Sequence, residues 1–318
     1  MLVLRRGVVL AAGDPGGPMQ ELEVRLGGER RQAVADVALV GAAGVGDEVI
    51  VNVAAPDVVH ANLTRGLAGT GTPGARAIKL AYTSLQHAVT PVEDAVPADS
   101  PLVLPTDAPV AVCLTHAQLA PLAWAFHRAA PGGRLGFVQT AGGALPGGLS
   151  EAVRVLRARG MLAGHVTAGP AHGGEAEAMT TAGALQHGFA ERYWHAAVCA
   201  PGPGAQESGS ALGHGGMVAL DTAHAAAALG CRVVICPRPA AGGVSHPTRM
   251  LLELALVPML VAHAGERPRA GRGRHEWRRG AADLDAFAAG GLAAGLEDDP
   301  PFFAAALAAG SVLAQCAA

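Results

Sequence analysis

From residue 109 onward, short apolar runs alternate with stretches of helical spacing. Residues 109–114, 134–139, 162–167, 194–200 and 232–236 are too continuously apolar to keep one face in water, so they predict strands covered on both sides. Between them, apolar residues line up as helix faces: Leu119, Leu122 and Phe126; Met179, Leu185 and Phe189; and Met217, Leu220 and Ala227. Ser150 stands where it can N-cap a further helix, with Glu151 at the positive end, Arg154, Arg157 and Arg159 toward the negative end, and Gly160 to stop it. This alternation predicts an α/β fold, a doubly wound and mostly parallel sheet with right-handed crossovers.

The chain before residue 109 reads differently. Residues 2–10, 21–26, 32–40 and 47–53 are alternating or β-branched and are separated by the turns AAGDPGGP, GGER and GAAGVG, which predicts a small barrel-like β module over residues 1–55. Residues 56–108 read as an irregular connection with one strand at 77–82. Its GTGTPG segment lacks a following Walker lysine, so a surface connection is the better reading than a phosphate loop. Residues 109–318 form the α/β domain, with an Arg-rich loop at 266–280 and C-terminal helices at 281–296 and 301–315. The apolar stretch 250–264, interrupted by Glu253 and Pro258, predicts a buried helix too short to span a bilayer.

Composition narrows the class. Hydrophobic residues make up 50% and charged residues 15%, which excludes disorder, and the 44 glycines show no triplet period, which excludes a collagen-like chain. Only 3% of residues are aromatic, so Ala, Val and Leu must fill the core and elements must approach closely. The five cysteines are scattered, which suits reduced thiols in a cytoplasmic protein. The opening MLVLRRGVVL places its arginines after the first apolar residues, the wrong order for a signal peptide, so neither export nor a membrane is expected.

Lys79 is the one lysine among 23 basic residues, a bias expected of a GC-rich genome and no evidence for nucleic acid. A net charge of −3 leaves no broad basic footprint, which makes nucleic acid an unlikely partner. The local run Arg267, Arg269, Arg272, Arg274, Arg278 and Arg279 reads as a solvated loop. Close packing of the small-residue helix at 281–296 predicts a homodimer.

Candidate chemistry gathers after the strands, where ligands bind in open α/β sheets. Thr115-His116 follows the first strand and TAGG the second. After the third, His172, Glu175 and Glu177 fall within six residues at a predicted loop-to-helix junction. His172 and Glu177 are candidates for an acid/base pair or metal ligands, and Glu175 for a helix cap. The fourth loop, GPGAQESGSALGHGG, offers Gly202, Gly204, Ser208, Ser210 and His214 to an anion at a helix start. It is Rossmann-like in position but lacks the fingerprint, because Glu207 stands where the third glycine belongs. In the fifth loop Ser245 reads as a helix cap, while His246 and Arg249 are placed to meet an anionic ligand. Cys231 and Cys236 lack zinc spacing and read as core thiols. No G-x-S-x-G elbow is present, and the pattern names no cofactor and no particular metal.

The segments RRGVV, GDEVIVN, IKLAYTSLQ with its following VED, GGALPGGLS, TAGPAHGGEAEAM, the GPG loop and GVSHPT together resemble an uncharacterised bacterial family, the domain-of-unknown-function family DUF3866, over nearly the whole chain. His172, where the resemblance implies an aromatic, and AQESGS depart from that pattern. The resemblance implies no activity and transfers no catalytic residue. The sequence therefore points to a cytoplasmic α/β protein with a site for a small, anionic metabolite at the strand C-terminal edge, and an enzyme is one form this could take. The alternative is a non-catalytic binding or scaffold protein acting through the N-terminal β module and the Arg-rich loop.

Overall fold

The computed structural model describes residues 4–52, 59–63, 77–80, 87–96, 104–206, 208, 210–268 and 274–317. GTGTPG, Arg269 and Arg272 lie outside them. The chain divides into two compact units, residues 1–91 and 92–318.

In the first unit, β1 (Leu4–Ala12), β2 (Met19–Leu26), β3 (Glu29–Asp36), β4 (Glu48–Asn52) and β5 (Val59–Leu63) pair in a closed ring of order β1-β2-β3-β5-β4. A short helix, α1 (Val37–Val40), follows β3. Alternate residues Leu22, Val24 and Leu26 of β2 join Val9, Ala33, Ala35, Val49 and Val51 inside the ring, as a half-exposed strand requires. The β2–β3 turn is the two residues Gly27-Gly28, and Gly27 has a φ of +66°, which suits the tight hairpin turn. Four of these strands lie in runs that the alternation identifies. The fifth, VHANL, comes from the segment that reads as a connection, and it closes the ring by pairing parallel to β3 and antiparallel to β4. A hairpin of β6 (Ala77–Lys79) and β7 (His87–Val89) follows.

The second unit is built on eight parallel strands: β8 (Pro109–Cys113), β9 (Leu135–Thr140), β10 (Gly164–Ala168), β11 (Ala176–Ala178), β12 (Ala196–Pro201), β13 (Arg232–Cys236), β16 (Leu260–His263) and β17 (Glu276–Arg279). Their order is β11-β10-β9-β12-β8-β13-β16-β17. A two-residue ribbon, β14 (Pro239–Ala240) with β15 (Gly243–Val244), lies between β13 and the next helix. Every residue of β8, β9, β10 and β12 is buried, because helices cover both faces. On one face α2 (Leu119–Ala129), α3 (Glu151–Ala158) and α8 (Pro300–Ala317) pack on Ala111, Phe137, Val198 and Val234. On the other, α4 (Thr181–Ala190), α5 (Val218–Ala228) and α6 (His246–Leu254) pack on Val112, Val138, Cys199 and Ile235. This is the doubly wound α/β arrangement that the alternation predicts.

Three expectations change. Residues 250–264 are not one buried helix: α6 ends at Leu254, and Leu260–His263 forms β16 after Pro258, whose ring cannot continue a helix. The predicted helix at 281–296 shortens to α7 (Leu284–Ala289), ended at Gly290. The Arg-rich stretch is only partly a solvated loop, since Arg278 and Arg279 belong to edge strand β17 and Arg274 donates to the Ala255 carbonyl at 2.6 Å. Of the described helices, α8 alone is long and apolar enough to cross a membrane, yet Phe302, Phe303 and residues 305–314 are buried within the fold. It reads as a core helix, and Asp299 starts it by accepting from Phe302 N at 3.2 Å.

Candidate functional site at the strand C-terminal edge

The site follows from the winding. β8 leads to α2 on one face, whereas its neighbour β12 leads to α5 on the other. Their loops part above the sheet, and such divergence opens a crevice beyond the strand C-termini. A cavity of about 310 Å³ occupies that position. Its wall is Leu114 to Ala117 after β8, Gly142 after β9, Pro201 to Ala205 after β12, His214 to Gly216 at the start of α5, Arg238 after β13, and Pro247 in the first turn of α6.

Gln118 anchors the β8 loop. Fully buried, it accepts from Leu114 N at 2.9 Å and Thr115 N at 3.2 Å, and it donates to the Cys236 and Pro237 carbonyls at 3.2 and 3.1 Å. His116 ties two more segments to that loop. Its Nδ1 is 3.1 Å from the Pro201 carbonyl, which can only accept, so Nδ1 carries the proton and donates. Nε2 is then an acceptor, and Ser150 Oγ donates to it at 2.7 Å. Ser150 Oγ in turn accepts from Val153 N at 3.1 Å, N-capping α3 as the sequence predicts. Burial lowers the His116 pKa, against a smaller upward pull from the Pro201 carbonyl, and this keeps the ring neutral. A neutral histidine hydrogen-bonded to a serine has the form of a nucleophile and its base. Here Ser150 is 1% exposed and bound on both sides, so the pair reads as a clamp that joins the ends of β8 and β12 to the start of α3.

Beneath the clamp, Phe137 lies 6.0 Å from the His116 ring and stacks on His165 at 4.9 Å. Burial, reinforced by the nearby His116 and Arg157, pushes His165 down to about 3. His165 is thus neutral in the fold but takes up a proton near pH 6.5 when unfolded. Because the unfolded chain binds more protons in that window, the stability present above pH 6.5 is lost as pH falls toward 3, by up to about 1.4 kcal/mol per unit. His116 acts in the same sense. Urea midpoints measured from pH 7 to pH 4 should fall in the wild type and fall less steeply in His165→Leu; equal slopes would exclude His165 as a source.

The electrostatics of the cavity favour negative charge. The starts of α2, α5 and α6 meet it, the first two through short 3-10 turns, and bring the positive ends of their dipoles. Arg238 adds a guanidinium, and no carboxylate is among the described lining residues. Two wall residues carry buried polar atoms with no hydrogen-bond partner among the described residues, Thr115 Oγ1 and His214 Nε2. Gly142 and Gly215 touch through their backbones: a Cβ on Gly142 would lie 2.8 Å from the Gly215 carbonyl oxygen, so glycine is what permits this thin wall. No group of three or more His, Cys, Asp or Glu side chains among the described residues is placed to hold a metal ion.

The family described as "Protein of unknown function (DUF3866)" matches residues 32–272, a span that includes every residue lining the cavity. The chain belongs to the DUF3866 family. No curated protein and no solved structure matches the chain.

In this DUF3866 chain the residues that the sequence nominates fall into four groups. Gly202, Gly204 and His214 line the cavity. Ser208 and Ser210 bond to each other at 3.0 Å and hold their loop, with Ser208 bordering an adjoining hollow. His246 stands with its ring 6.4 Å from that of His214, facing the Ala211 carbonyl at 3.2 Å, and Arg249 donates to its Nδ1 at 3.1 Å. His172 and Glu177 form the fourth group, outside the cavity wall. The His172 carbonyl accepts from Gly147 N at 2.7 Å, and Glu177 accepts from Thr167 Oγ1 at 2.6 Å and Gly173 N at 2.7 Å.

The expected loop-to-helix junction there is a strand, β11, and α4 starts later, capped by Thr180 with help from Glu93. Glu175 is accordingly no helix cap; it pairs with Arg157 at 2.5 Å. Ser245 caps α6 as expected. Thr115 and Gln118 are the residues that the sequence reading passes over as a pair, although Thr115-His116-Ala117-Gln118 has the T-x-x-Q spacing of a capping box.

Proposed function

We propose that this DUF3866 protein binds a small anionic metabolite in the cavity at the strand C-termini. The observation that carries this reading is the pair of buried atoms Thr115 Oγ1 and His214 Nε2, without a hydrogen-bond partner among the described residues, on the wall of a cavity that three helix starts meet and Arg238 borders. A buried polar atom without a partner costs about 1–3 kcal/mol, a cost that a ligand oxygen can relieve. The Gly202 to Gly204 turn brings backbone close to the ligand. Binding in this sense does not require turnover. Four buried free thiols and one partly buried one suit a cytoplasmic setting.

Calorimetry with a panel of phosphate-ester and carboxylate metabolites tests the proposal. Wild type should bind at least one, and Arg238→Ala should weaken that binding tenfold or more. Thr115→Val should weaken it severalfold while raising the unliganded stability by about 1 kcal/mol, because it removes the unsatisfied hydroxyl. Absence of binding across the panel, or equal affinity in both variants, would overturn the reading.

A further inference from the structure

The cavity has a neighbour of different character. A hollow of about 650 Å³ shares Gly142, His214 and Gly215 with it, and of those three only His214 has a side chain. Leu212, Met217, Leu220 and Leu254 border this second hollow. Leu212 and Leu254 are 59% and 44% exposed, among the few large apolar side chains that the described fold leaves uncovered. Among the described residues that border the hollow, Asp221 is the only charged one. Among the described residues the two compartments are therefore opposite in kind: one has an arginine and no carboxylate, the other has a carboxylate, no cation and an apolar rim.

From this polarity we infer that the ligand is amphipathic, its anionic head in the inner cavity and an apolar tail in the outer hollow, crossing beside His214. The inference rests on the anion-binding reading of the inner cavity. Asp221 repels a head placed on its side, and the exposed leucines gain by covering a chain. His214 Nε2, without a partner among the described residues and at the shared wall, is placed to hold a polar atom where head and tail join.

Two homologous series read the two compartments separately: inorganic, methyl, butyl and octyl phosphate, and the carboxylates from acetate to octanoate. In calorimetry, wild type should bind the series that fits its head site about fourfold more tightly per buried methylene until the hollow is filled. The double variant Leu212→Ser with Leu254→Ser, which adds no charge, should flatten that rise and leave the shortest anion unaffected. Arg238→Ala should weaken every member by the same factor. If the shortest anions bind and lengthening the chain changes nothing, the amphipathic ligand is overturned and the anion cavity stands. If no member of either series binds, both fall.

Discussion

Replacing Gly136 by alanine is expected to lower the unfolding free energy by about 3 kcal/mol or more, seen as a fall in the urea midpoint with the slope unchanged. Propensity alone argues the other way, since glycine in a strand interior is worse than alanine by roughly 0.5–1 kcal/mol. Packing decides the sign. A Cβ on Gly136 would lie 1.9 Å from Trp194 Cδ2 and 2.0 Å from Cε3, well inside contact distance. The indole cannot retreat, because a Cβ on Gly188 of α4 would meet the same ring at 2.2 Å, and Gly164 of β10 flanks it. Trp194 is 4% exposed and sits in a slot whose walls are glycines of two strands and a helix. Trp194→Leu should relieve the clash, so Gly136→Ala with Trp194→Leu should be more stable than the sum of the single changes. A neutral Gly136→Ala would mean that the ring moves freely and that the slot does not fix α4 to the sheet.

Legibility in the sequence followed burial. β8, β9, β10, β12 and β13 were readable because helices on both faces make their runs continuously apolar. β16 was concealed inside an apolar stretch that Pro258 divides, since a short apolar run does not by its period distinguish strand from helix. β17, EWRR, escaped because an edge strand with charged side chains in water has no apolar signature. The helix expected at 281–296 has the right composition, but Gly290, Gly291 and Gly295 limit it, the last two at positive φ.

The same physics divides the candidate site. The rule that ligands gather beyond strand C-termini placed the cavity, and Gly202, Gly204 and His214 were found through it. Which side chains face each other across loops was not readable, because Ser150 reaches His116 from 34 residues away and Arg238 enters from the end of a fourth strand, β13. Periodicity reports which face of an element is buried and says nothing about contacts between loops. His172 and Glu177 illustrate this: six adjacent residues suggested one cavity, while the fold uses Glu177 to brace its own loop.

Gln118→Ala is expected to cost at least about 3 kcal/mol of stability and, in conditions where the variant stays folded, tenfold or more in ligand affinity. Four backbone groups lose their partner at once, and an unsatisfied buried group costs about 1–3 kcal/mol. Even with partial relaxation, the sum exceeds what one or two recruited waters would restore. The loss reaches the cavity because Gln118 joins its two sides: Thr115 and His116 leave β8 at the end it holds, and Arg238 follows Pro237, whose carbonyl it holds. A purely structural glutamine would lower stability alone, whereas this one should also loosen the arginine and the threonine that the proposed anion would contact.

Gln118→Glu separates the two halves of the role. An ionised glutamate still accepts from Leu114 and Thr115 but faces the Cys236 and Pro237 carbonyls without a proton to donate. The protonated acid donates again, so the side chain should titrate above its ordinary range. For a carboxyl raised in the fold, the stability regained at low pH is lost as pH rises through the folded value. Relative to wild type at each pH, Gln118→Glu should be least harmful near pH 4 and most harmful above pH 7, opposite in slope to the histidine effect. A cost independent of pH would show that the Nε2 contacts to β13 contribute nothing, and that the loop after β8 is held by its own cap alone.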